Sequence, residues 1–295
     1  MKARHSMAAA QQRRLFLALF LLPGMIYLVA LRIVPALFTV YLSFTSWDLT
    51  RPGGPRFVGL QNYIDLANNQ PFLDSIARSL FFTVVATTIE LVLGFLIALF
   101  IHREIVAKNF LRAALLTPMV ITPSIVGVIW TIMFHPSVGP LNWFLSLFGL
   151  PPVAWLNSPN LAMLSIIITD VWHWTPFMFL LSLSAMMMIP EDLYESAEVD
   201  GASGMQKLTH ITLPMVRDTL IVAVILRSME AFELFAEPFV MTGGGPGSAT
   251  ETISLHIYKA AFMFFEMGSA GAMVVISILI LITVYSFYWR FIKFD

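Results

Sequence analysis

The chain has 295 residues, 58% of them hydrophobic and only 12% charged, with a mean hydropathy of +0.80. Soluble domains carry about 25% charged residues, so this chain cannot present an ordinary aqueous surface, and a membrane protein is expected. A net charge of -1 argues against a nucleic-acid partner, and the absence of cysteine excludes disulfides, iron–sulfur clusters and thiolate zinc sites.

Lys2, Arg4, Arg13 and Arg14 lead into an apolar run from Leu15 that outlasts the core of a signal peptide and is broken only by Arg32. An uncleaved first span over 15–46, containing Pro23 and Pro35, is expected rather than a removed leader. A bilayer-crossing helix needs about 20 mostly apolar residues. Five further segments qualify: 79–101, 113–134, 161–186, 217–240 and 267–289. Between the third and fourth, Gly139-Pro140, Pro151-Pro152 and Asn157-Ser158-Pro159 predict an external loop with a short interfacial helix around 141–148. With the N-terminus inside, eleven Lys and Arg fall on the cytoplasmic side, against Arg51, Arg56, Arg78 and Lys259 outside. That bias predicts both termini cytoplasmic, with tails at 1–14 and 291–295 and a six-span domain over 15–290.

Charged groups at membrane depth are costly and are functional candidates by default. In the fifth span Arg227, Glu230, Glu233 and Glu237 are spaced three, three and four apart, within about 120° of one helical face. Asp170, His173, Trp174 and Phe177 share a face of the fourth span, where Pro176 is expected to kink the helix. The fifth-span face is expected to line a water-accessible cavity. The alternative is that Arg227 and Glu230 neutralise each other while Glu237 lies near the outer interface. Packing or pairing roles are expected of Arg32 and Glu90. Gly94 and Ala98 form a small-xxx-small pair suited to close helix contact.

The polar segment 187–216 reads as helix, glycine turn, helix. Pro190 suits a first turn, and Glu191, Asp192 and Glu195 favour the positive end of the helix dipole. Gly201 permits the positive φ that ends this helix, Ser203 can cap the next, and Pro214 opens the fifth span. The cluster Gly243-Gly244-Gly245-Pro246-Gly247 has no following Lys, so a flexible external turn is expected rather than a phosphate cradle. No spacing suggests a metal site, and no catalytic residue is expected.

The run Glu195-Ser196-Ala197-Glu198-Val199-Asp200-Gly201-Ala202, followed by Ile211-Thr212-Leu213-Pro214, resembles the EAA loop of binding-protein-dependent ABC importer permeases. Ser196 stands at the motif's second position and Leu208 where an aromatic is usual. Pro35 with Ser43-Phe44, the run Phe57-Val58-Gly59-Leu60-Gln61-Asn62-Tyr63, and Thr242-Gly243-Gly244-Gly245-Pro246 with Thr250-Glu251-Thr252 are similar to the carbohydrate-uptake branch. Within it the chain looks like the first permease type of maltose, trehalose and glycerol-3-phosphate importers.

The resemblance implies an all-α, type I permease core in a bacterial inner membrane. Its implied partners are membrane lipid, a second permease, two ATP-binding cassette subunits and a periplasmic or lipid-anchored solute-binding protein. ATP and Mg would sit on the ATPases, with no cofactor on this chain. The resemblance assigns ATPase coupling to Glu195, Ala197, Asp200, Gly201, Ala202 and Pro214. It assigns contact with a sugar-like solute to His173, Trp174, Phe177, Arg227, Glu230, Ala231 and Leu234. Arg227 also suits an anionic group, so glycerol-phosphate or an anionic sugar derivative stays open. So does an ion-gradient transporter using Glu90, Asp170 or Glu230 as proton carriers.

Overall fold

The computed structural model describes residues 16, 17, 19–102 and 108–288. The expected tails, and with them Lys2, Arg4, Arg13, Arg14, Arg103, Arg290 and Lys293, lie outside the described residues. Among the described residues the chain is helical without a β-strand, carrying only the isolated bridges Thr45–Phe57 and Asp48–Glu266. It divides into two compact units, residues 1–68 with 260–278 and residues 69–259 with 279–295.

In the first unit, α1 (Leu19–Ser43) contains a π-helical turn at Val29–Ile33. Almost all of it is exposed, Phe20 at 75% and Leu37 at 63%. A contiguous apolar face of that size belongs against lipid or an apolar partner, not water. Arg32 is exposed on this same face. After α1, Gly59 turns at φ 60° into α2 (Gln61–Ala67). The Asn62 amide then donates to the carbonyls of Ser43 and Thr45 at 2.8 and 2.9 Å, and Tyr63 donates to Ser43 Oγ at 2.7 Å. These bonds give the Phe57–Tyr63 run a structural job, since it closes the loop back on the end of α1.

The second unit begins with α3 (Gln70–His102), longer at its start than the predicted second span. There follow α4 (Lys108–Val120), α5 (Pro123–Met133), α6 (Pro140–Leu147) and α7 (Pro159–Met187). The apolar run at 113–134, expected as one straight span, is bent by 104° between α4 and α5. Pro123 opens α5, where its missing N–H is no loss, and holds the preceding Thr122 extended at ψ 136°. The short loop helix expected at 141–148 is present as α6. Asn142 pins it, donating to the carbonyls of Pro136 and Val153 and accepting from Trp155 Nε1. The α7 helix continues through Pro176 as a single element.

The small pair on α3 sits against α7. Ala98 is fully buried, and a Cβ on Gly94 would lie 2.6 Å from both Met178 Cβ and the Phe179 nitrogen. The obstacle is partly backbone, so it cannot step aside. Gly94→Leu is expected to cost at least the ~1–3 kcal/mol of ordinary overpacking. Its melting temperature and folded yield should fall well below those of Leu93→Ala on the same helix. Equal melting would mean that α3 and α7 part without penalty.

The rest of the unit comprises α8 (Glu191–Val199) and α9 (Gly204–Lys207), which passes through a π-helical turn at Leu208–Thr212 into α10 (Leu213–Phe232). Next come α11 (Ala236–Thr242) and α12 (Ile253–Tyr258). The last helix, α13 (Met267–Tyr288), matches the predicted sixth span, with its residues up to Ile278 counted in the first unit. The fifth span, expected to reach 240, stops at Phe232. Glu233 is its C-cap, and Phe235 leaves helical geometry at φ -130° before α11 starts. Glu237 therefore belongs to a different helix from Arg227, and the four-residue stripe is not one helical face. Among the described residues five helices are long and apolar enough to cross a membrane, or six where the bent α4–α5 pair counts as one span.

The glycine cluster after α11 is closely bonded rather than loose. Thr242 and Thr250 hydroxyls meet at 2.6 Å, and Thr250 donates to the Gly245 carbonyl at 2.9 Å. Glu251 anchors the turn through His256 at 2.6 Å and Lys259 at 2.5 Å, while Arg78 Nε donates to its carbonyl at 3.0 Å. The His256 hydrogen bond, with Lys259 behind it, holds the Glu251 carboxyl down from the usual 4.5 to about 2. A carboxylate depressed on folding stabilises the folded form above its unfolded pKa and loses that contribution as pH falls through the folded one. The protection factors of the turn amides, observed exchange divided into the intrinsic rate at the same pH, should therefore fall as pH drops from 4.5 towards 2. Glu251→Gln should remove that dependence, and an unchanged profile in the variant would overturn the assignment.

Candidate functional site

The inner faces of α3, α7 and α10 pack together. Their polar residues meet in a core that is otherwise apolar. Arg227, from α10, is 1% exposed, and Glu90 from α3 and Asp170 from α7 are both fully buried. Arg227 Nε donates to Glu90 Oε2 at 2.8 Å and its Nη2 to Glu90 Oε1 at 3.0 Å, a two-pronged pairing that suits a planar guanidinium. Nη2 also donates to Asp170 Oδ2. Glu90 thus has the pairing role expected of it. Arg227, by contrast, is satisfied from two other helices and not by its own i+3 neighbour. Glu230 is exposed.

Trp174 covers the guanidinium from the side, its ring centroid 5.1 Å from Cζ, a cation–π distance. Phe177 meets Trp174 edge-on at 6.3 Å. Both rings are half-buried. His173, one residue back, is 1% exposed, and its Nε2 lies 3.0 Å from the Ile121 carbonyl in the α4–α5 break. Its Nδ1 faces Glu237 Oε1 at 3.7 Å, and Glu237 is 2% exposed rather than interfacial. Ala231 and Leu234 lie in the apolar core with Phe82, Ala86, Phe134 and Ile166. Of the residues assigned to solute contact, the fold brings His173, Trp174, Phe177 and Arg227 together. Trp174, Phe177 and Glu230 are the ones with accessible surface. The Glu90 and Asp170 pairing partners carry one available sequence signal: a cation at membrane depth demands counter-charges on other spans.

The segment 187–216 has the expected grammar. Gly201 sits at φ 76°, and Ala202 N–H donates to the Ala197 carbonyl at 2.8 Å while Gly201 N–H donates to Glu198 at 3.0 Å. That is the Schellman closure, which requires a left-handed residue after the helix. Ser203 and Gln206 form a capping box at the start of α9. Lys207 Nζ to Glu198 Oε1 at 2.6 Å ties the two helices, and this pairing lowers the Glu198 pKa. Tyr194 reaches Thr212 Oγ1 at 2.9 Å and packs with Ile189, Met186 and Ile211, seating the loop on the helical core. Pro190 is the N-cap of α8 rather than part of its first turn. Glu195, Asp200, Gly201 and Pro214 are exposed, and Ala197 and Ala202 are half-buried. Val199 at 89% and Met205 at 68% expose apolar side chains on the same loop.

Long apolar helices with buried ion pairs in their shared core and a capped polar loop define a helical membrane protein. Residues 66–293 match the family described as binding-protein-dependent transport system inner membrane component, and the chain belongs to that family. It is 38% identical over 275 residues to the trehalose/maltose transport system permease protein MalF of Thermococcus litoralis, covering 93% of this chain and 92% of that protein. It is 32% identical over 280 residues to the sulfoquinovosyl glycerol transport system permease protein SmoG of Agrobacterium fabrum, covering 95% and 91%. Its fold matches a chain of the bacterial alginate ABC transporter solved in complex with an alginate pentasaccharide-bound periplasmic protein. The TM-score is 0.82 at 25% identity, over 94% of this chain and 93% of that one. The chain is an inner-membrane component of an ABC transport system that works with a binding protein, and not an enzyme.

Proposed function

We propose that this permease moves a neutral sugar, with energy from two ATPases that dock on the 187–216 loop and a second permease completing the path. The relatives' names divide between neutral solutes, such as trehalose and maltose, and anionic ones, such as sulfoquinovosyl glycerol and glycerol-3-phosphate. One observation favours the neutral class: the Arg227 guanidinium is buried and already held by two carboxylates. The accessible groups beside it are two half-exposed rings, Trp174 and Phe177, and the exposed Glu230 carboxylate. Aromatic faces stack on sugar C–H surfaces and a carboxylate accepts hydroxyl hydrogens, a mixture typical of small-ligand sites. The same carboxylate repels a phosphate or sulfonate.

The bias of Lys and Arg supports cytoplasmic termini and a cytoplasmic coupling loop. Exposed Glu195, Asp200 and Val199 on a pinned short helix suit a cleft on an ATPase. Glu90 and Asp170 are engaged by Arg227, which disfavours them as mobile proton carriers.

The test uses proteoliposomes holding this chain with its second permease, ATPase and binding protein. Trehalose or maltose uptake should require active ATPase and resist competition by glycerol-3-phosphate. Trp174→Ala should lower uptake per folded complex about three- to ten-fold, the range that loss of one aromatic contact supports, with a smaller fall in melting temperature than Arg227→Met. Uptake that survives ATPase inactivation would point to a secondary transporter. Unchanged uptake per folded complex in Trp174→Ala would remove Trp174 from the solute path.

A further inference from the structure

Among the described residues two spans are broken, and one buried side chain, His173, bonds across the first break and stands 3.7 Å from a carboxylate in the first turn after the second. The third span breaks between α4 and α5 with a 104° bend, and the fifth breaks between Phe232 and Ala236. The half-helices that follow, α5 and α11, pack directly on each other. A Cβ on Gly127 would lie 3.1 Å from Val240 Cβ, so no wider residue fits there without displacement. His173 enters from α7, which stays unbroken.

We propose that His173 is a positioning residue that ties the two breaks into one moving unit. A carbonyl oxygen can only accept, so Nε2 carries the proton and donates it to Ile121 across the first break, at 3.0 Å. Ile121 lies where the α4 and α5 ladders are interrupted, and such carbonyls need a partner from elsewhere. On the other edge of the ring, Nδ1 is buried without a hydrogen-bond partner and faces Glu237 Oε1 at 3.7 Å, just beyond bonding reach. Glu237 stands in the first turn of α11. The contact is thus made on the α5 side and open on the α11 side. With the Nε2 proton given to Ile121, Nδ1 of a neutral ring can only accept, as a carboxylate does, so an approach of α11 closes the contact when one proton is shared between Nδ1 and Glu237, the kind of discrete two-position element that a conformational transition acts on. The ring also abuts Trp174, with centroids 5.0 Å apart, so movement at the aromatic pair reaches it directly. The other charged groups facing this region are Asp170 on α7, Glu90 on α3, and Arg227 and Glu230 on α10. Arg227 occupies Glu90 and Asp170. Glu230 also acts on His173 electrostatically, and Glu237 is the carboxylate that stands 3.7 Å from Nδ1.

The experiment is hydrogen exchange on the assembled importer in lipid nanodiscs, which needs no knowledge of the solute. In His173→Phe, the ring volume remains but both polar edges are lost. The amides of Ile125 and Val126 after the first break and of Leu234 and Phe239 around the second should all exchange about ten-fold faster. Amides of α7 facing Gly94 should keep their protection. His173→Gln places an amide N–H roughly where Nε2 stood and offers nothing at Nδ1. It should restore protection at Ile125 and Val126 but not at Leu234 and Phe239. Glu237→Leu added to His173→Phe should accelerate the second break no further, since linked residues are not additive. Faster exchange confined to the first break in His173→Phe overturns the link. So does a general loosening that includes α7. Should the Phe variant fail to assemble, the Gln variant decides alone: equal protection or equal loss at both breaks overturns the proposal.

Discussion

Arg227→Met will destabilise the folded complex by roughly 3–5 kcal/mol, the usual consequence of removing one partner from a buried ion pair. Methionine matches the length of the arginine stem but leaves Glu90 and Asp170, both fully buried, facing each other without a counter-charge. The loss should appear as a lower melting temperature and lower yield of assembled complex. A variant with all three charges removed, Arg227→Met with Glu90→Gln and Asp170→Asn, should recover most of it. Replacing a whole buried network by neutral groups is commonly close to neutral, whereas halving it is not. A single Arg227→Met variant that melts like the unmodified protein would mean that water reaches the carboxylates, and would reopen Arg227 as a solute contact.

Gly201→Val will separate ATP turnover from transport. Gly201 sits at φ 76°, where a β-branched residue is strained, and no atom lies within 4 Å of the added Cβ. The penalty of about 1–2 kcal/mol is therefore purely conformational. It falls on the Schellman closure that sets the angle between α8 and α9. Membrane insertion and the helical core should be untouched, because the loop is exposed on this side. Uptake in the reconstituted complex should fall at least ten-fold while ATPase activity persists without control by the binding protein. Gly201→Asn, which tolerates the left-handed region, should keep most of the uptake. Normal uptake by the Val variant would show that the loop does not transmit the ATPase stroke.

Much of this was legible because it depends on local chemistry. The length of each apolar run predicts spans, since a bilayer accepts only about 20 apolar residues. Gly201 and Ser203 act within a few residues of themselves, so their roles as helix stop and cap follow from spacing alone, whereas Pro214, expected to open the fifth span, lies within a helix that runs from Gly204 to Phe232 through a π turn. Gly94 and Ala98 marked the close approach of α3 to α7 for the same reason: only small side chains permit it. The break at Ile121 escaped because Ala113 to Phe134 carries no charge and stays hydropathic throughout, and hydropathy does not register a change of direction. Pro123, as a first-turn proline, was the available sign. The end of the fifth span at Phe232 escaped for a similar reason, because Glu233 and Glu237 continue the helical spacing of Arg227 and Glu230 after the helix itself has stopped.

The sequence by itself determined that this is a helical membrane protein, because burial in lipid constrains composition and length before any tertiary contact exists, and that its polar segment at 187–216 turns at a glycine between two helices. It also determined that Arg227 must be neutralised, since a lone guanidinium in apolar surroundings is too costly to keep. Which groups neutralise it was decided only by the tertiary structure. Glu90 lies 137 residues away and Asp170 57, and neither separation has a period that could be read along the chain. The packing of α3, α7 and α10 chose those two carboxylates over the adjacent Glu230, leaving Glu230 exposed beside Trp174 and His173 between two broken helices. Side-chain reach and helix contact, both set by how surfaces interdigitate, are properties of the assembled bundle and not of any one segment.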